Sequence, residues 1–310
     1  MIASNALVER QTPVQPQLQP LSERVHSKLN FEKNPPPTAF IIGEQKCGTS
    51  TLYFMMRDHS GVCNTTALKG QSDVRMKEVY FFDKKNMSEL LRKFPEYLEH
   101  FEHCDSTELR IDATPSYLST HGTPENIRDL YTKLGIDVTK LRFLAMFRDP
   151  VQRVISAYEH KQRHGEWDGE STLQEEIHKG IAKYSEWKQQ QSGDQACMYA
   201  ADGDMIGRGI YEQSIRRYFK VFDPSQFLFI SLKQLTTDPS GVLDAVQKFV
   251  GLKNIRLDMH ESNIGSYDPP PVPEGLAEFY APHVDALWKL KAEHPACFYE
   301  TDDNEFSLDV

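Results

Sequence analysis

The sequence predicts an α/β fold, a single domain with a central parallel β-sheet flanked by helices. Three observations carry that prediction. Thr38-Ala-Phe-Ile-Ile-Gly43 is an apolar run closed by glycine and followed at once by a helical pattern. Leu141-Arg-Phe-Leu-Ala-Met-Phe147 is a second apolar run, followed by Asp149-Pro150 and another helical pattern. Short apolar runs then alternate with helical patterns along the chain, as parallel strands with helical crossovers require. Strands buried on both faces read as continuous apolar segments, and sheets of this kind hold ligands at the carboxyl ends of their strands.

Each element has its own local warrant. After the first strand, a helix is predicted from about Thr49, with Leu52, Met55 and Met56 at helical spacing and Gly61 beyond its end. Leu109 to Ala113 is a short strand candidate. After the strand at 141–147, Asp149 caps a helix whose first residue is Pro150, a favoured pairing. Val151, Val154, Ile155 and Tyr158 form its apolar stripe. Further helices are predicted near 171–190, 208–222, 239–250 and 274–293, with one more strand at Phe227–Ser231.

Composition limits the function classes. The 310 residues are 39% hydrophobic, 11% aromatic and 26% charged, which suits a globular domain with a sizeable core. A formal net charge of -10 argues against a protein that grips nucleic acid or an anionic membrane. It leaves room for a local basic pocket. No apolar run is long enough to cross a membrane. Residues 1–37, rich in proline and glutamine, read as a flexible stem or linker, 38–300 as the catalytic domain and 301–310 as a solvated acidic tail. The chain as given reads as cytoplasmic, or as a Golgi-lumen protein if an anchor precedes it. Its five cysteines (Cys47, Cys63, Cys104, Cys197, Cys297) form no CxxC pair. His160 and His164 share a helix face without the glutamate of a zinc-protease motif, so no metal site is predicted.

The junction Gly43-Glu-Gln-Lys46-Cys47-Gly48-Thr49-Ser50-Thr51 carries the most chemistry. A glycine-bounded turn opening a helix directs backbone N–H groups and the positive helix end at an anion. Lys46 adds a charge and the three hydroxyls add donors. A nucleotide-triphosphatase loop has its lysine directly after the second glycine; here Thr49 holds that place. This disfavours a kinase or NTPase, which remains a rival reading, as does a non-catalytic nucleotide-binding module. Cys47 lies at a helix N-terminus, where thiol pKa values fall, although simple packing explains it as well.

The pattern Gly-x-x-Lys-x-Gly-Thr-Ser-x-Leu resembles the 5′-phosphosulfate loop of the sulfotransferases that use 3′-phosphoadenosine 5′-phosphosulfate (PAPS), and with it their P-loop-like fold. The resemblance implies that Lys46, Cys47, Gly48, Thr49, Ser50 and Thr51 hold the 5′ end of the donor. It also implies a 3′-phosphate site on Arg148 and Ser156, eight residues apart in Phe147-Arg148-Asp149-Pro150-Val-Gln-Arg153-Val-Ile-Ser156. Arginine suits that role through its fixed fork of donors. Lys77-Glu78-Val79-Tyr80-Phe81-Phe82 resembles the Glu-x-His-Phe-Phe stretch of the heparan-type carbohydrate enzymes, which makes Glu78 the catalytic base and Lys46 the stabiliser of leaving-group charge. Asp112-Ala113-Thr114-Pro115-Ser116-Tyr117 resembles their acceptor-side segment. On that basis Lys77, Tyr80, Thr114, Pro115 and Tyr117 are expected at the acceptor. Tyr211, Asn263, Gly265 and Ser266 are expected to border the nucleotide. The acceptor is expected to be a saccharide or small molecule, sulfated on a hydroxyl or an amine, without metal.

The departures from that pattern all remove positive charge. Tyr80 stands for the histidine, Ala113 for a lysine, and Asn263 for a lysine of the closing loop. A two-cysteine loop near the end is not evident. These differences favour a neutral or small acceptor over a polyanionic chain.

Overall fold

The computed structural model describes residues 29–66, 77–83, 86–165, 171–190, 204–257 and 271–308. Its centre is a parallel sheet of β1 (Ala39–Gly43), β2 (Val62–Cys63), β3 (Leu109–Asp112), β4 (Arg142–Phe147) and β5 (Phe227–Ser231) in the order β2-β3-β1-β4-β5. Every residue of β1 and β5 is buried, which is why both read as unbroken apolar runs. Phe40, Phe143 and Phe227, from three adjacent strands, stack with centroids 5.6 and 5.0 Å apart.

The chain leaves β1 for β2, returns to β3, and then passes β1 to reach β4. The connection therefore reverses direction beside β1, and the crevice at that point is where such sheets take ligands. The helices are α1 (Thr49–Arg57), α2 (Met87–Glu99), α3 (Thr123–Lys133), α4 (Pro150–Arg163), α5 (Leu173–Gln190), α6 (Tyr211–Phe219), α7 (Leu232–Thr237), α8 (Pro239–Phe249) and α9 (Leu276–Glu293). The Asp149 side chain caps α4 by accepting from the Gln152 amide at 2.7 Å, and Val151, Val154 and Ile155 are buried. A second apolar cluster, with Ile155, Ile177, Ile206 and Tyr280, joins α4, α5 and α9 beside the main core.

One helix boundary differs from expectation. The helix near 208–222 begins only at Tyr211, because Gly207–Gly209 forms a tighter turn against the Tyr280 ring. Residues ahead of 38 also pack against the core. Pro36 and Pro37 are buried, the Pro37 carbonyl accepts from Tyr131, and Leu29 and Phe31 pack on the core. Residues 301–308 are mixed in exposure. Asp302, Asp303 and Glu305 are exposed, yet Phe306 and Leu308 are buried. Cys63 and Cys104 form a disulfide, while Cys47 and Cys297 are buried thiols; Cys197 lies outside the described residues. His103 Nε2 sits 3.3 Å from Cys63 Sγ, but the two sulfurs beside it are bonded to each other. Among the described residues, no helix is long and apolar enough to cross a membrane.

Candidate active site

The loop after β1 is held from three sides. Its Glu44 amide donates to the Met146 carbonyl of β4 at 2.9 Å, which places residues 44–48 beside Arg148. Buried Glu44 accepts from the Gln45 amide at 2.7 Å and lies 3.5 Å from Arg208 Nη1, which also donates to Gln45 Oε1 at 2.8 Å. Lys46 has a φ of 69° and Gly48 a φ of 90°, a left-handed curl that turns successive loop groups toward the start of α1. At Gly48 a Cβ would meet Leu232 Cδ1 at 2.8 Å, so a side chain there would have to push that leucine aside as well as adopt the left-handed φ.

Cations converge on this loop although the chain is acidic. Burial first, and then the charges of Arg163, Arg148 and Lys77, push the Lys46 ammonium below its usual range. Like charges gathered this way ask for an anion. Arg148 Nε is buried with no hydrogen-bond partner among the described residues, a donor that a phosphate would satisfy. Ser156 lies on α4 with its side chain buried. Its neighbour Arg153 is wholly buried and donates to the Met205 carbonyl, so it ties α4 to the 205–209 turn. A multiply anionic nucleotide fits this set of residues. Arg163 and Arg208 are the members that sequence reasoning missed, since each is an unremarkable helix or turn arginine until the fold places it.

Cys47 and Tyr211 meet behind the loop. Both side chains are buried, and the Tyr211 hydroxyl donates to the Arg148 carbonyl at 2.9 Å with Cys47 Sγ 3.6 Å away. Burial pushes the Cys47 thiol up to about 12, so it is packing and not a reactive thiolate. Tyr211 braces the two loops from behind.

The segment 77–83 lies against residues 112–117. The Ala113 amide donates to the Lys77 carbonyl at 3.3 Å. Thr114 Oγ1 accepts from the amides of Val79 and Tyr80, and the Tyr117 hydroxyl accepts from Phe81 and Phe82. Glu78 is partly exposed, with Lys77 Nζ 2.5 Å from Oε1 and the Tyr80 hydroxyl donating to Oε2. Tyr80 is 40% exposed at a φ of 52°. Thr114, Pro115 and Tyr117 were expected to touch an acceptor. Their side chains are buried behind the segment, and the Thr114 and Tyr117 hydroxyls hold its backbone. Asn263, Gly265 and Ser266 lie outside the described residues.

A glycine-bounded loop at the switch point of a parallel sheet, beside a cationic cluster and a partly exposed carboxylate, is the arrangement of a group-transfer enzyme. The chain belongs to the sulfotransferase family, whose domain description, "Sulfotransferase domain", matches residues 36–264. It is 27% identical over 220 residues to bifunctional heparan sulfate N-deacetylase/N-sulfotransferase 3 of Homo sapiens, covering 70% of this chain and 22% of that protein. It is 29% identical over 224 residues to heparan sulfate glucosamine 3-O-sulfotransferase 3B1 of Homo sapiens, covering 72% of this chain and 48% of that one. The chain thus aligns with less than half the length of either relative. A solved sulfotransferase from Alicyclobacillus acidocaldarius shares the fold, with a TM-score of 0.59 at 24% identity over 82% of this chain and 95% of the other.

Proposed function

We propose that this protein transfers the sulfuryl group of PAPS to a hydroxyl or amine of a saccharide or small-molecule acceptor, with Glu78 as the base. The observation that carries this reading is the convergence of the 44–51 loop, Arg148 and the Lys77–Glu78 pair at one end of the sheet.

The donor supplies an activated sulfuryl group on a phosphate leaving group. Loop amides of 46–51 and the Lys46 ammonium would bind its 5′ end, and Arg148 with Ser156 its 3′ phosphate. Lys46 is placed to oppose negative charge on the leaving phosphate, which is electrostatic stabilisation at a prepared site. Glu78 takes the acceptor's proton onto a carboxylate oxygen as the acceptor oxygen or nitrogen bonds to sulfur. Lys77 and Tyr80 orient that carboxylate.

The relatives' names speak of heparan sulfate, and a glucosamine-containing acceptor is the first to try here. Tyr80 and Ala113 leave this acceptor side less cationic than the family pattern, which supports a neutral or small acceptor. The Cys63–Cys104 disulfide favours an oxidising lumen over the cytoplasm.

The test is calorimetric titration with 3′-phosphoadenosine 5′-phosphate, ATP and AMP on wild type and Arg148→Ala. Micromolar-range binding that requires the 3′ phosphate and fades in the variant supports the reading. Equal binding of ATP, or no loss in the variant, would put the kinase reading first. Glu78→Gln should abolish most transfer and leave nucleotide affinity intact.

A further inference from the structure

Asp112 ends β3, fully buried and one layer behind the segment that carries Glu78. Three hydroxyls donate to its carboxylate: Tyr97 at 3.0 Å and Tyr117 at 2.9 Å to Oδ2, and Thr114 at 2.7 Å to Oδ1. Two of those hydroxyls are the same groups that accept from the amides of Val79 and Tyr80 (Thr114) and of Phe81 and Phe82 (Tyr117). A hydroxyl has one hydrogen. Because Asp112 takes that hydrogen, the oxygen lone pairs of Thr114 and Tyr117 are left to face the backbone N–H groups.

We infer that Asp112 is a positioning residue for Glu78, its carboxylate setting the direction of the Thr114 and Tyr117 hydroxyls and thereby pinning the backbone of residues 79–82. The inference rests on Glu78 being the base. An added proton on Asp112 has to point at one of the hydroxyl oxygens, and the hydroxyl that receives it must turn its own hydrogen elsewhere. At Thr114 or Tyr117 that means toward an amide, and the pinning bond is lost. An asparagine at 112 does the same at every pH, since its NH2 group donates toward those hydroxyls.

Acids and phenols from several elements surround the Asp112 carboxylate and interact with its charge. They are Tyr97 from α2, Tyr131 from α3, Tyr53 from α1, Tyr218 from α6, Tyr117 from its own segment, and Asp83 from the pinned one. Burial is the largest cause raising Asp112 to about 6, with the charge of Asp83 adding to it and the three hydroxyls opposing. The switch between pinned and unpinned states therefore falls at mildly acid pH.

Hydrogen–deuterium exchange of the peptide spanning residues 77–83 reads the pinning without any acceptor. In Asp112→Asn and in Thr114→Val, exchange there should be about tenfold faster at pH 8 than in wild type, as loss of one or two amide hydrogen bonds gives. Thr114→Ser, which keeps the hydroxyl, should exchange like wild type. Wild type itself, after correction for intrinsic exchange, should approach the Asn variant between pH 7 and pH 5. Titration with 3′-phosphoadenosine 5′-phosphate should give unchanged affinity in all variants. With PAPS and an unsulfated glucosamine-containing oligosaccharide carrying free amino and 3-hydroxyl groups, kcat should fall with KM nearly constant. Unchanged exchange in folded Asp112→Asn and Thr114→Val overturns the inference. Should the Asn variant not fold, the Thr114→Val and Thr114→Ser pair decides by the same readout. Faster exchange with no loss of transfer, in a protein whose Glu78→Gln variant is also active, leaves the pinning standing and removes Glu78 as base.

Discussion

The Tyr211 hydroxyl donates to the Arg148 carbonyl at 2.9 Å, with Cys47 Sγ 3.6 Å away. One phenol from α6 thus joins the loop after β1 to the residue after β4, the two segments proposed to hold opposite ends of the nucleotide. Removing the hydroxyl leaves the ring's packing against Phe147 but frees the Arg148 backbone. Tyr211→Phe should lower affinity for 3′-phosphoadenosine 5′-phosphate about fivefold, the value of one hydrogen bond near 1 kcal/mol. Calorimetric titration measures it. Wild-type affinity in the variant would mean that the sheet alone sets the spacing of the two loops.

Gly48 combines a φ of 90° with a Cβ position 2.8 Å from Leu232 Cδ1. Gly48→Ala should lose about 1–3 kcal/mol of stability in urea denaturation, from left-handed strain and overpacking together. Adding Leu232→Ala removes the collision and not the strain. Nucleotide affinity should therefore stay depressed in the double variant even though the collision is gone. Full recovery would assign the effect to packing.

Tyr80 reaches Glu78 from an exposed ring, while Lys77 holds the other oxygen. Tyr80→Phe keeps the ring and loses the bond that aims the carboxylate. Transfer to the glucosamine oligosaccharide should fall roughly tenfold, the scale of a misplaced catalytic group, with nucleotide affinity unchanged. Tyr80→Ala should in addition raise KM if the ring touches the acceptor. A KM equal to that of Tyr80→Phe would remove the ring from the acceptor site.

The sheet was legible in advance because β1, β4 and β5 are buried on both faces and so carry unbroken apolar runs. The phosphate loop was legible because glycine, lysine and hydroxyls cluster locally. Helix α2 is not legible in the sequence, although Leu90, Leu91, Phe94, Tyr97 and Leu98 form its buried face, because Pro95 interrupts the pattern. Strand β2 is two residues long and exists through its pairing with β3. The burial of Thr114 and Tyr117 depends on the packing of distant segments, so Asp112 and its hydroxyls could not be separated by sequence from residues that touch an acceptor.

Asp112 also gives a stability prediction whose sign differs from that of most carboxylates. Burial, the largest cause, raises its folded-state pKa from the ordinary aspartate value of 3.8 to about 6. The folded protein then holds the proton more tightly than the unfolded chain. Its contribution to stability is fully present below about pH 4 and is lost as pH rises through about 6. The advantage of wild type over Asp112→Asn in urea denaturation should shrink between pH 4 and pH 6 and stay level above. A gap that widens with pH in that window would show that the hydroxyl bonds to the ionised form outweigh its burial. The form that orders the Glu78 segment is thus the form that costs the fold stability, a conflict characteristic of functional sites.

The chain end bears on the same site. The Asp149 amide donates to the Leu308 carbonyl at 2.8 Å, one residue from Arg148, and Phe306 packs against Phe147, Phe298 and Trp288. Phe306→Ala should destabilise the protein by about 3 kcal/mol, as truncation of a buried aromatic does. Deleting residues 301–310 should lower stability at least as much and also weaken nucleotide binding, because the Asp149 amide loses its partner where Arg148 is fixed. The Phe306→Ala variant serves as the control for stability alone. If the deletion and the point variant bind 3′-phosphoadenosine 5′-phosphate equally well in calorimetric titration, the C-terminal segment supports the core and has no separate hold on Arg148.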